Sequence, residues 1–362
     1  MAVGHYVQGP GAFDLVGEKA ATLGKRLTVV CDRDVLHLLG DRLRRSFERG
    51  GVDADIYPFA GEITLSVIDQ LTARARSYEP DVVVGVGGGR ALDAGKGVAR
   101  RLGKPFVSVP TVASSDAPAA RGIGIYDEAH RPVVVEQLDE NPSYVLVDTE
   151  VIAKAPARFL RSGIGDAIAK KFEVEGCWAG GGITKHKTRP LRSAVLIAND
   201  CYHLLRTHGA AAMRAVEAGM VTDDLEYVVE AAILLSCLAF ENGGLWLAHS
   251  VVRGLVSARG AKDALHGNQV AYGTLVQMTI ESRPEAEITD LMQFFCEVGL
   301  PLSLADLGLS DPNDAEIEAI TQAASSSPYI QVQVPSINAK RIDSAIRAVE
   351  ARAAGFDRQR NK

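Results

Sequence analysis

No run in this sequence is apolar enough, for long enough, to span a bilayer. The longest candidate, AAILLSCLAF at 231–240, is too short and is followed by Glu241. There is no surplus of positive charge either. The formal net charge is -6, with acids and bases mixed along the chain. A nucleic-acid protein would carry a basic face, so that class is excluded. Paired cysteines are missing. Cys31, Cys177, Cys201, Cys237 and Cys296 are scattered, odd in number and without a CxxC, which reads as buried thiols in a reducing compartment. The opening MAVGHYVQGPG lacks a basic stretch followed by an apolar run, so no signal peptide is expected. Low-complexity tracts and internal repeats are absent as well. What is present is 362 residues, 47% of them apolar. That is enough for packed interiors and long for one core, so two domains in a cytoplasmic protein are expected.

The first part of the chain alternates. RLTVVCD (26–32), ADIYPFAG (54–61), DVVVGVGGG (81–89) and PFVSVPT (105–111) read as strands. Between them, 35–51, 65–80 and 92–105 carry helical spacing and stop at glycine or proline. This alternation predicts a parallel sheet covered by helices, with ligands at the carboxyl ends of the strands. After about residue 155 strand-like runs nearly vanish. RSAVLIANDCYHLLRTHG (192–209), LEYVVEAAILLSCLAFE (225–241) and NAKRIDSAIRAVEARAA (338–354) are helical in pattern. The expected organisation is an α/β domain over 1–155 and an all-helical domain over 156–362.

Within GVGGGRALDAGK (85–96), four glycines fall in five positions between a strand and a helix. Backbone N–H groups and the helix dipole favour an anion there, usually a phosphate, and glycines let it approach. The pattern is not GxGxxG, and a tight turn that binds nothing has the same composition. Asp32, closing the first predicted strand, is placed like an acid that bonds an adenosine ribose. It is equally placed as the N-cap of the next helix. Arg33 beside it leaves NAD against NADP open.

Six of the eight histidines sit in polar loops, near the terminus or along amphipathic helices. His249, in FENGGLWLAHSVVRG (240–254), and His266, in ALHGNQVAYGT (264–274), lie in apolar surroundings where an imidazole needs a partner. Asp166 lies in SGIGDAIAKKFEVE (162–175), again in an apolar helical turn. One carboxylate and two imidazoles are a plausible open zinc site. Satisfied core histidines are the other reading, and the sequence spacings do not decide between them.

Taken in order, GVGGGRALDAGK, VPTVASSDAP (109–118), GIGDAIAKKFE (163–173), AFENGGLWLAHSVVRG (239–254) and LHGNQVAYGT (265–274) resemble glycerol dehydrogenases. These are the zinc-dependent, NAD-linked branch of the iron-containing alcohol dehydrogenase superfamily. The resemblance covers about 5–350. It implies a nucleotide-binding α/β domain, a helical metal-binding domain and an active site in the cleft between them. It implies Asp166, His249 and His266 as ligands of one zinc ion. For NAD it implies Asp32, the turn Gly87, Gly88, Gly89 and Arg90, then Asp93, Thr111, Ser114 and Tyr126. Lys96 accompanies Asp93 with a less defined role. Asp116 matches the acid that bonds substrate hydroxyls. The chemistry implied is Lewis-acid activation of a small polyol hydroxyl and hydride transfer to the cofactor. A homo-oligomer, dimer or octamer, is implied too.

The sequence also departs from that family. Ala120 and Gly122 replace a serine and a larger apolar residue. Trp246 replaces a small residue, and Val252-Arg253 stand where His-Asn is usual. Lys170 stands where iron-dependent relatives place a further histidine, which favours zinc. Trp246 and Arg253 are candidates for a reshaped substrate wall and a fixed cation, suited to a 2-hydroxycarboxylate or 2-oxo acid. Core filling and a helix-end charge are their plainer readings. A dehydroquinate-synthase-like lyase is a remote alternative, disfavoured by Asp166 and Asp116.

Overall fold

The computed structural model describes residues 3–128, 131–331 and 337–360. The strands are β1 (His5–Gln8), β2 (Arg26–Asp32), β3 (Asp53–Phe59), β4 (Val82–Gly87), β5 (Phe106–Pro110), β6 (Gly122–Tyr126), β7 (Pro132–Gln137) and β8 (Tyr144–Val147). The helices of the first half are α1 (Val16–Ala21), α2 (Arg33–Gly50), α3 (Leu65–Tyr78), α4 (Gly89–Leu102) and α5 (Thr149–Ala153). Then follow α6 (Ala157–Ala179), α7 (Arg192–Glu217), α8 (Asp223–Glu230), α9 (Ser236–Gly243), α10 (Leu247–Leu255) and α11 (His266–Ile280). The chain closes with α12 (Glu285–Val298), α13 (Asp314–Ser325), α14 (Pro328–Gln331) and α15 (Ala339–Arg360). Among the described residues no strand follows Val147, and no single helix is long and apolar enough to cross a membrane.

Six strands form one parallel sheet in the order β1-β8-β5-β4-β2-β3. The run VVVGVG of β4 is buried at every position because it lies inside the sheet with both faces covered. Alternation sorts its side chains. Val82, Val84 and Val86 join Leu27, Val29, Phe47 and Val109 in one core cluster. Val83 joins Val30, Tyr57, Ile68 and Phe106 in another. β6 and β7 form a separate antiparallel pair.

Contacts divide the chain into two compact units. The first runs to Leu160 and also takes Arg214–Cys237; the second takes Arg161–Met213 and Leu238 onward. The sequence pattern places 214–237 in the helical domain. Packing joins this segment to the sheet-bearing unit. Gln8 Nε2 donates to the Glu226 carbonyl at 2.9 Å and to its carboxylate at 2.8 Å, and Thr149 Oγ1 donates to Glu226 at 2.6 Å. The helix expected over 225–241 is interrupted by a π-helical turn, Ala231–Leu235, so α8 and α9 are distinct.

Candidate metal centre and nucleotide turn

In the second unit, α6 carries Asp166, Lys170 and Glu173 at i, i+4 and i+7, one face of one helix. Helix α11 starts at His266, and α10 presents His249 two residues after its first residue. Two glycines let α6 and the start of α11 approach. A Cβ on Gly267 would lie 1.7 Å from the Ser162 carbonyl oxygen, and one on Gly165 would lie 2.4 Å from that of Gly267. No side chain fits at this crossing, and it brings Asp166 beside His266.

The three predicted ligands converge. Asp166 Oδ1 is 3.5 Å from His249 Nε2 and 3.9 Å from His266 Nε2, and one donor atom from each residue lies within 4.8 Å of the others. Asp166 is buried, whereas 48% of the His266 side chain is open. A carboxylate oxygen and two imidazole nitrogens at this spacing fit a divalent cation with a position left open.

Glu173 is a residue the sequence reading passed over. It is fully buried. Its Oε1 accepts from the backbone N–H groups of Trp246 at 2.9 Å and His249 at 3.0 Å, and its Oε2 lies 2.7 Å from His249 Nδ1. An ionised carboxylate accepts only, so Nδ1 carries the proton and Nε2 is left to face Asp166. Its seven-residue offset from Asp166 was the available signal.

Charges are strongly coupled here. Burial alone would raise the Asp166 carboxyl, but Lys170, His249 and His266 outweigh it and hold it well below the usual carboxylate range. Glu173 is likewise lowered against its burial, chiefly by His249. Burial also opposes charge on His249, yet Glu173 and Asp166 prevail and raise its pKa. Enclosure by protein pulls His266 down to about 4, against the attraction of Asp166. Its half-open ring lets water offset part of that depression.

In the first unit, β4 ends at Gly87 with φ +140, where a Cβ would lie 2.8 Å from the Asp32 Cβ. Gly88 is the N-cap of α4 and has no side-chain cap, so no cap side chain occupies the first N–H groups of that helix. A Cβ on Gly89 would meet nothing nearer than Ala117 at 3.9 Å. The turn is thus bare, as an anion site requires. Asp32 stands at its edge and caps α2, accepting from Asp34 N at 2.9 Å and Val35 N at 3.2 Å. Both sequence readings of Asp32 are therefore compatible with its position. Thr111 N donates to the Gly87 carbonyl at 3.1 Å, which ties the next loop to the turn. Ser114 and Tyr126 are half-buried, and Arg90 is exposed, 3.4 Å from the Gly61 carbonyl. Asp93 is engaged internally. Its Oδ2 accepts from Gly124 N at 2.8 Å and its Oδ1 from Lys96 Nζ at 3.0 Å. Lys96 also donates to the Ala117 and Gly122 carbonyls at 2.7 and 3.0 Å. This pair fastens the loop and β6 to α4.

The profile of the iron-containing alcohol dehydrogenase family matches residues 8–156. A glycolaldehyde reductase of Halobacterium salinarum is 38% identical over 319 residues, 88% of this chain and 87% of that one. A glycerol dehydrogenase of Thermotoga maritima is 38% identical over 356 residues, 96% and 95% of the two chains. The crystal structure of a probable glycerol dehydrogenase from Sinorhizobium meliloti superposes with a TM-score of 0.92 at 35% identity, covering 98% of each chain. The chain belongs to the iron-containing alcohol dehydrogenase family. It is an oxidoreductase acting on CH–OH groups.

The three remaining residues expected at the substrate site are placed as follows. Asp116 is half-buried, and its Oδ2 accepts from Ser236 Oγ at 3.1 Å. Ser236 immediately follows the π turn, whose extra residue re-aims the helix face. Trp246 is the N-cap of α10 and is 3% exposed. Its indole occupies the space over Gly176 and Gly180, where a Cβ would lie 2.5 and 2.6 Å from ring atoms. Arg253 follows His249 by one turn of α10, is exposed, and makes no hydrogen bond or ion pair among the described residues.

Proposed function

We propose that this family member is a zinc-dependent, NAD-linked dehydrogenase that interconverts a small vicinal diol such as glycerol and its carbonyl product. The observation that carries the reading is the convergence of Asp166, His249 and His266, backed by Glu173. Their two nitrogen donors and one oxygen donor suit zinc with an open coordination position. When bound, zinc supplies a Lewis acid that makes a neighbouring alcohol easier to deprotonate near neutral pH. Asp166, His249 and His266 hold it, and Glu173 keeps His249 Nε2 directed inward. Asp116 accepts hydrogen bonds from substrate hydroxyls, with Ser236 restraining the carboxylate. The bare turn Gly87–Gly89 receives the cofactor pyrophosphate at the start of α4, with Arg90 flanking it. Asp32 accepts from the adenosine ribose, while Asp93, Thr111, Ser114 and Tyr126 shape the rest of the cofactor site. Trp246 forms a rigid wall behind α10. The division of labour is an α/β nucleotide-binding domain and a helical catalytic one. The protein is proposed to work in the cytoplasm as a homo-oligomer.

A 2-hydroxycarboxylate substrate is the second reading. Arg253 supports it, as an exposed guanidinium with no ion-pair partner among the described residues, one turn from His249. One assay separates the two. The zinc-loaded protein is offered glycerol, 1,2-propanediol and a panel of 2-hydroxy acids, with NAD or NADP, and reduced nicotinamide is followed by absorbance. Chelator-sensitive turnover of the diols with NAD is expected. Turnover of hydroxy acids alone would replace the diol reading, and Arg253→Ala would then raise KM for acids selectively.

A further inference from the structure

Lys170 is the least ordinary group near the proposed zinc site. It is 1% exposed, and its Nζ donates to Asp166 Oδ1 at 2.6 Å. That oxygen is also the one facing His249 Nε2 and His266 Nε2. The ammonium lies 5.7 Å from the centre of the Phe240 ring, which shields it from water. Glu173, His249, His266 and Tyr329 are among its other electrostatic neighbours. One oxygen therefore answers to two cations, a fixed ammonium and whatever ion the three donors hold.

We propose that Lys170 is a positioning residue that acts as a built-in competitor for the metal. It neutralises Asp166 and keeps its carboxylate aimed at the two imidazoles while the site is empty, and it holds the affinity for the ion down. The inference rests on the zinc-site reading above and goes beyond it. The charge count supports it. With the imidazoles neutral, as a bound ion requires, Asp166 and Glu173 contribute two negative charges to this group and Lys170 one positive. A divalent ion would bring the site without lysine to neutrality, but brings the site with lysine to a surplus of one positive charge. Lys170 and Asp166 are buried, so that surplus is only partly screened. A buried carboxylate with no counter-charge is costly, so the empty site also gains stability from the ammonium. Both effects favour the metal-free form relative to a site with a neutral residue at 170.

The test is zinc affinity of the metal-stripped full chain, measured by competition with a chromophoric chelator at fixed pH and salt. Lys170→Met and Lys170→Gln remove the charge; Lys170→Arg keeps it. Zinc is expected to bind both neutral variants at least tenfold more tightly than wild type, with Lys170→Arg close to wild type. The gain in melting temperature on adding zinc should also be larger for the neutral variants, because their empty forms melt lower. A lysine that merely props up the helix would give the opposite order. Equal or weaker zinc binding by a folded neutral variant would sink the inference and leave the zinc-site reading standing. No zinc binding by wild type or any variant would instead remove the zinc-site reading, and the inference with it.

Discussion

At the residue scale, the centre depends on which atom of each side chain is left free. Glu173 decides that for His249 by taking the Nδ1 proton. Glu173→Gln replaces an ionised acceptor with a neutral amide whose nitrogen can face Nδ1. The expected result is a 10- to 100-fold loss of zinc affinity with the helices intact. Chelator competition measures the loss, and far-UV circular dichroism checks the fold. Unchanged affinity would mean that the carboxylate serves only to cap the Trp246 and His249 N–H groups. Asp166, His249 and His266 were legible because each stands in a recognisable motif and in apolar sequence. Glu173 was not, because its seven-residue offset from Asp166 is a weak signal for a glutamate inside a helix; the packing of α10 against α6 is what reveals its burial. The sequence places Lys170 where iron-dependent relatives carry a histidine, but only the packing reveals that its ammonium touches Asp166.

At the element scale, the important contact is the glycine crossing of α6 and α11. Gly267 has no room for a Cβ against the Ser162 backbone. Gly267→Ala should push the start of α11 away, at a cost of about 1–3 kcal/mol or more for overpacking. His266 would move with it, so zinc affinity should fall alongside stability. Denaturant unfolding and zinc titration of the same variant check both. A stable variant with normal zinc affinity would show that the helices can separate without opening the site. The elements themselves were largely readable. β2 coincides with the predicted 26–32, and β4 and β5 lie within their predicted runs. Buried parallel strands announce themselves as continuous β-branched runs. The β6–β7 pair did not. GIGIY alternates, burying Ile123 and Ile125, but it is short and its glycines mask the strand signal, while PVVVEQ opens with a proline and is largely exposed. The π turn at 231–235 was equally hidden, since one extra residue leaves an apolar helical pattern intact.

At the scale of the whole molecule, the metal centre lies wholly within the second unit, and the glycine turn within the first. Metal removal should therefore lower the thermal stability of the helical unit first. Zinc at a thousandfold excess over its dissociation constant contributes about 4 kcal/mol. That contribution should depend on pH with a definite sign. The pKa of His249 is raised in the folded, metal-free protein. Its pairing therefore adds stability below the ordinary histidine value, and this is lost as pH rises through the raised one. Zinc needs the proton gone from Nε2, so its contribution grows over the same interval. Melting temperatures of stripped and zinc-loaded protein should diverge as pH rises and approach each other as it falls. Differential scanning calorimetry across that range would show parallel curves if His249 were not a ligand.

By itself the sequence determined the local order: which runs are strands, where the helical half begins, where the backbone must be bare, and which family the motifs belong to. Those properties are written in neighbouring residues, through periodicity, glycine and capping chemistry. Three things were left to the tertiary structure. Residues 214–237 pack with the sheet, because Glu226 bonds to Gln8 and Thr149. Asp166, His249 and His266 become one site only because two glycines let α6 and α11 touch while α10 lies against α6. The charge of that site is set by Lys170 and Glu173, and burial, a property of the packed chain, is what makes those charges act.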